Sequence, residues 1–175
     1  MSLHRRRVAL RAVQVGEELG LSPERLRTLA AGGLLHDIGK LSVPTAILAQ
    51  PRPLSRDEYA LVKKHPEAGE RLLAELGFGH DVRRLVLDHH ERIDGSGYPR
   101  GRADGALDLE TRILAVCDVY DALLSPRVYR SAWPHDRAVA LLREQSGKSF
   151  DPKCVSALER VLERERAPVS LSVAS

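Results

Sequence analysis

The 175-residue chain contains seven histidines. Five of them, His4, His36, His65, His89 and His90, fall in an order that suits metal chemistry. Asp37 directly follows His36, and His90 directly follows His89. Asp118 closes an apolar run, Ile113 to Cys117, where an unpaired carboxylate is costly to bury. A divalent cation is one partner for it, and an arginine such as Arg112 or Arg127 is another. Imidazole and carboxylate donors together suit Fe, Mn, Zn or Ni. A pair of such ions needs about six or seven donors, and His4, His36, Asp37, His65, His89, His90 and Asp118 make up such a set. Successive helical residues point about 100° apart, so His89 and His90 are expected to reach two neighbouring ions. The carboxylate of Asp37 or Asp118 has two oxygens and can bridge them. Two ions about 3.5–4 Å apart would clamp a phosphate and hold a hydroxide for in-line attack. Each histidine taken singly also fits a surface or satisfied core residue. Spacing alone leaves both readings open.

The elements that must position these groups read as helices almost throughout. Val8, Ala12, Val15, Gly16 and Leu19 follow a 3.6-residue period and stop at Gly20. Ser22-Pro23 predicts an N-cap and first helical residue for a second helix that runs into His36-Asp37. Residues 38–54 contain Gly39, Pro44, Pro51 and Pro53 and read as a loop. Ser55 with Glu58 forms a capping box opening the next helix. Further helices are expected from His65 to Gly77 and from Val82 to His90, followed by a glycine-rich loop from Asp94 to Gly105. A long apolar helix carries Leu109 to Leu124, and the last two begin near Pro134 and Pro152. No run shows sustained period-2 alternation, so the expected fold is all-α: one helical bundle over residues 1–166, with 167–175 as a flexible tail.

Composition narrows the function classes. Apolar residues make up 43% of the chain and charged residues 29%, as in an ordinary globular domain. Its length suits one core. The net charge of +3 implies no nucleic-acid polymer as partner, which wants a concentrated basic patch, but it is compatible with a local pocket for an anionic ligand. No apolar stretch approaches a membrane span, and no apolar region follows the N-terminal charges as in a signal peptide. Two cysteines, Cys117 and Cys154, are too few for a disulfide framework, so a reduced, cytoplasmic setting is expected.

The ordered strings go further. They are His36-Asp37-Ile38-Gly39-Lys40, His65-Pro66-Glu67-Ala68-Gly69, His89-His90-Glu91-Arg92 and Asp94-Gly95-Ser96-Gly97-Tyr98-Pro99, then Arg112 through Leu123, Arg127-Val128-Tyr129-Arg130 and Phe150-Asp151-Pro152. Together they resemble the HD-GYP family of the HD phosphohydrolase superfamily, over about His4 to Leu162. The resemblance implies a helical bundle around a metal centre, iron or manganese most often, that hydrolyses cyclic di-GMP to pGpG and in many members on to GMP.

By the same resemblance the metal ligands fall on His4, His36, Asp37, His65, His89, His90 and Asp118, with Asp37 bridging and a metal-bridging hydroxide as nucleophile. Lys40 is expected near the scissile phosphate, steadying its charge or protonating the leaving 3′ oxygen. Tyr98 and Pro99 are expected to line the substrate pocket. Arg127 and Arg130 match positions that bind phosphate or guanine, a task for which a planar fork is well suited; Pro126 directly precedes Arg127. Asp121 is a further candidate for guanine or for supporting a ligand. The position of the extra glutamate of three-metal members falls before Met1, which favours two ions. Most relatives carry a fused sensor or receiver domain, so the chain is expected either to stand alone or to be a piece of such a protein. The alternatives are a cyclic di-GMP-binding or interaction module with weak turnover, and an HD phosphohydrolase acting on another nucleotide.

Overall fold

The computed structural model describes residues 3–126 and 131–166. Within them lie nine α-helices and no strand. Helix α1 spans Leu3–Glu18, α2 Pro23–Leu35, α3 Thr45–Leu48, α4 Arg56–Val62 and α5 His65–Glu75. Helix α6 spans His80–Asp88, α7 Leu109–Leu124, α8 His135–Glu144 and α9 Pro152–Arg166.

The helix boundaries follow local chemistry. Gly20 takes a positive φ of 72° after α1, a conformation open to glycine at little cost. The Ser22 side chain caps α2 by accepting from the Arg25 N–H, with Pro23 in its first turn. The Ser55–Glu58 capping box opens α4 with both reciprocal bonds present. Residues 38–54 are more ordered than a loop. A 3-10 turn covers Ile38–Ser42 and the single-turn α3 follows Pro44. Ser42 Oγ donates to the Gly39 carbonyl, and proline preorganises φ for the helical start. Helix α6 begins and ends two residues earlier than the apolar pattern suggests, leaving His89 as its C-cap and His90 beyond it.

Helix α7 runs through the middle. Its buried residues, Thr111, Ile113 to Asp118, Tyr120 and Asp121, occupy most of its circumference, as expected of a helix covered on all sides. Val8, Ala12 and Val15 of α1, Leu29 of α2 and Leu85 of α6 pack on one flank of this core. Ala138 and Leu142 of α8 and Val155, Leu158, Val161 and Leu162 of α9 close the other. Cys117 and Cys154 are free and buried in it, and burial pushes both thiols up, Cys154 to about 12. They are packing residues. The consequence for function is rigidity: α1, α2 and α7 meet in one core, and each presents an imidazole or carboxylate at the same end of it.

Candidate metal centre

His4 (α1), His36 (end of α2) and Asp118 (α7) bring one donor atom each within 4.8 Å of one another. His65 (start of α5), His89 and His90 (end of α6) make a second such triad. Asp37 lies between them. One of its oxygens is 3.6 Å from His36 Nε2 and the other 3.5 Å from His65 Nε2. All seven expected ligand residues therefore converge. His89 and His90 fall in the same candidate triad, with ring centroids 4.0 Å apart.

The histidine tautomers follow from the backbone. His36 Nδ1 faces the Gly33 carbonyl at 2.8 Å, His65 Nδ1 the Val62 carbonyl at 2.8 Å, and His89 Nδ1 the Val86 carbonyl at 2.7 Å. Each contact is to the residue three positions back, so each Nδ1 carries the proton and donates, and each Nε2 presents a lone pair. His65 Nε2 and His89 Nε2 then face each other at 3.3 Å with no proton between them. His36 Nε2 is buried without a hydrogen-bond partner among the described residues. Lone pairs aimed at one another in a buried site are unfavourable unless a cation draws them together. The donor set fits divalent metal on this evidence.

Electrostatics agree. Burial pushes His89 down to about 3 and His90 well below its ordinary value, and lowers His65; this triad is neutral and ready to donate. Burial disfavours the charge on Asp118, yet the hydrogen bond from His4 holds its carboxyl well below the usual range. Burial likewise opposes ionisation of Asp37, but His36 and Lys40 override it and hold it at about 2. His4 is also desolvated, but its bonds to Asp118 and Asp121 raise it to about 9. Both carboxylates are thus anionic at neutral pH.

The remaining expected residues separate into those at the site and those behind it. Lys40 Nζ donates to Asp37 at 2.7 Å. Tyr98 stacks on His90, with centroids 4.6 Å apart and planes 31° apart, and burial pushes its phenol up. Pro99, half-buried, follows it through a cis peptide. Of the two roles expected for Asp121, its contacts suit support of a ligand rather than a bond to guanine. Oδ2 accepts from His4 Nδ1 at 2.6 Å and Arg7 Nη2 at 2.8 Å, and Oδ1 from Arg7 Nε at 2.6 Å. It supports His4 from behind. Asp118 pairs with His4 and His36, while Arg112 reaches Asp151 at 2.6 Å. Arg127 and Arg130 lie outside the described residues, as does the 167–175 tail.

Two glycines make the site possible. A Cβ on Gly39 would sit 1.9 Å from the His65 carbonyl oxygen, so only glycine lets the His-Asp turn approach α5. A Cβ on Gly97 would meet the Glu91 Cα and the His90 carbonyl oxygen at 2.5 Å each.

Sequence reasoning missed the braces of the glycine-rich loop. Glu91, fully buried, accepts the backbone N–H of Arg100 at 2.7 Å and of Arg102 at 3.0 Å. Asp88, also buried, takes the Arg100 guanidinium at 2.6 and 2.8 Å and Arg102 at 3.2 Å. The readable signal was a pair of acids flanking His89-His90, answered by two arginines one residue apart. An open cleft of about 480 Å³ leads off from His4, Asp37 and Lys40, walled by Ile47, Leu48 and Leu54.

A helical bundle with paired His/Asp triads defines the HD class of proteins, and comparison with known proteins agrees. The family model described as "HD domain" matches residues 1–154. The chain is 47% identical over 148 residues to the cyclic di-GMP phosphodiesterase response regulator RpfG of Xanthomonas campestris, covering 83% of this chain and 39% of that one. It is 38% identical over 159 residues to 3′3′-cGAMP-specific phosphodiesterase 3 of Vibrio cholerae, covering 91% of this chain and 35% of that one. The structure of Bd1817, an HDG"Y"P protein from Bdellovibrio bacteriovorus, superposes with a TM-score of 0.75 at 23% identity, over 91% of this chain and 51% of the other. The chain belongs to the HD domain family, in its HD-GYP branch. It spans about two fifths or less of the length of these curated relatives. No helix among the described residues is long and apolar enough to cross a membrane.

Proposed function

We propose that this chain is the catalytic domain, residues 1–166, of a metal-dependent phosphodiesterase that opens cyclic di-GMP to pGpG. The observation that carries the reading is the placement of Asp37 between two three-donor clusters, one oxygen toward each. His4, His36 and Asp118 would hold one ion, His65, His89 and His90 the other, and Asp37 would serve both. The nitrogen and oxygen donors suit Fe or Mn. Ions bound there would neutralise phosphate charge and lower the pKa of water. The protein's own groups do the rest. Lys40, 37% exposed beside Asp37, can donate to the leaving 3′ oxygen. Tyr98 and Pro99 form one wall for the nucleotide. Arg127 and Arg130 remain proposed contacts to phosphate or guanine. Asp121 and Arg7 keep His4 turned toward Asp118.

The name of RpfG, a cyclic di-GMP phosphodiesterase response regulator, supports this substrate and a regulatory receiver or sensor domain in a longer protein. A second reading, cleavage of a hybrid cyclic dinucleotide, is favoured by the similarity to a 3′3′-cGAMP-specific enzyme. The test is chromatographic. Protein purified anaerobically and loaded with Fe(II) or Mn(II) is incubated with cyclic di-GMP and, in parallel, with 3′3′-cGAMP. Appearance of pGpG is expected, and Asp37→Ala should abolish it. Activity surviving that substitution overturns the metal mechanism. Cleavage of the hybrid alone selects the second reading.

A further inference from the structure

Lys63 is a cation the scheme above leaves without a task. It is the C-cap of α4, and its backbone N–H bonds the Tyr59 carbonyl one turn earlier at 2.9 Å. Residues four apart on a helix share a face, and the Lys63 ammonium lies 5.3 Å from the Tyr59 ring centroid. It also lies 6.0 Å from the centroid of Tyr98, the ring that stacks on His90. Lys63 is half-buried, and among the described residues no carboxylate comes within ion-pair distance of it. Lys40 sits on Asp37, Arg7 on Asp121 and Arg92 on the Glu91 carbonyl. Tyr59 remains 48% exposed, a large flat face at the rim of the site. The preceding residue, Val62, ties this face to the centre twice, by anchoring His65 Nδ1 and by lining the cleft.

A cyclic dinucleotide has two phosphates and two bases, and the His/Asp cluster can engage only the phosphate being cut. An unpaired ammonium between two aromatic faces matches what is left over, an anionic oxygen and a planar base. We infer that Lys63 and Tyr59 form a second recognition station for the uncut half of the nucleotide, with Lys63 on its phosphate and Tyr59 stacked on its base. The inference rests on the cyclic-dinucleotide reading, and the test separates the two.

Lys63→Met and Tyr59→Leu are compared with the wild type in metal-loaded form, using cyclic di-GMP and bis(p-nitrophenyl) phosphate, a small diester too short to span both places. KM for cyclic di-GMP should rise about 10-fold in each variant, with kcat falling less, and the loss should exceed that for the small diester by a similar factor. Lys63→Arg should recover most of the KM. Unchanged KM in both variants overturns the station while leaving the enzyme reading intact. Equal losses on both substrates also overturn it, by showing an indirect effect through His65. Wild-type cleavage of the small diester without any cleavage of cyclic dinucleotides removes the underlying reading and the station with it.

Discussion

The bond between His4 and Asp121 invites a measurement that distinguishes the two triads. His4 is the second residue of the first helix, and its ring is fixed by Asp118 on Nε2 at 3.2 Å and Asp121 on Nδ1 at 2.6 Å. Arg7 locks the Asp121 carboxylate from the other side with two donors. Asp121→Asn keeps the volume but removes the charge, and it must turn an amide N–H2 toward either Arg7 or His4. Losing such a carboxylate behind a ligating histidine costs about 10–100-fold in metal affinity, or about 1.4–2.7 kcal/mol. Asp121 bonds His4 and Arg7, whereas in the second triad His65 and His89 rest their Nδ1 atoms on backbone carbonyls. Titration of metal-free protein with Mn(II), followed by calorimetry and by the free-ion EPR signal, should show two sites in the wild type. In Asp121→Asn one site should weaken by that factor while the other holds. Equal weakening of both sites, or of neither, refutes the assignment of Asp121 as the support of His4.

Three further outcomes follow from the same geometry. In metal-free protein, His4 is raised from 6.5 to about 9 in the fold, so its pairing stabilises fully below about pH 6.5 and that contribution fades as pH rises to about 9; Tm measured across this window should fall, and His4→Ala should remove most of the fall. Gly97→Ala places a methyl 2.5 Å from two backbone atoms that cannot yield, displacing the loop that carries Tyr98; a roughly 10²-fold loss in kcat/KM is expected, and wild-type kinetics would show the loop is not set by that contact. Asp88→Ala strands Arg100 and Arg102 beside a buried hole, costing about 3 kcal/mol and lowering Tm by about 6–12 °C; a shift under 2 °C on melting would show that the brace carries no stability.

How much of this could be read in the chain depends on the range of the interaction involved. Helix starts set by neighbours one turn away, Ser22-Pro23 and Ser55 with Glu58, appear where their residues predict them. The residues that converge on the candidate site were conspicuous too, because a carboxylate in an apolar run such as Asp118 and adjacent pairs such as His36-Asp37 stand out chemically. What escaped was set by contacts across the chain. Arg7 meets Asp121 over a separation of 114 residues, so nothing local marked Asp121 as engaged and not free to take a ligand.

The two triads are unlike in charge, and this bears on how the centre assembles. One contains the anionic Asp118, paired in the metal-free fold with a His4 that Asp118 and Asp121 keep protonated. The other is three neutral imidazoles, and the carboxylate nearest to it is Asp37, 3.5 Å from His65 Nε2. An ion at the imidazole triad therefore depends on Asp37 for its anionic partner, whereas an ion at the His4 triad has a carboxylate of its own. Lys40, bonded to Asp37 at 2.7 Å, competes with that ion for the same oxygens. Asp37 would thus couple filling of the second position to release of the lysine ammonium, because a cation held there would take the carboxylate on which Lys40 now rests.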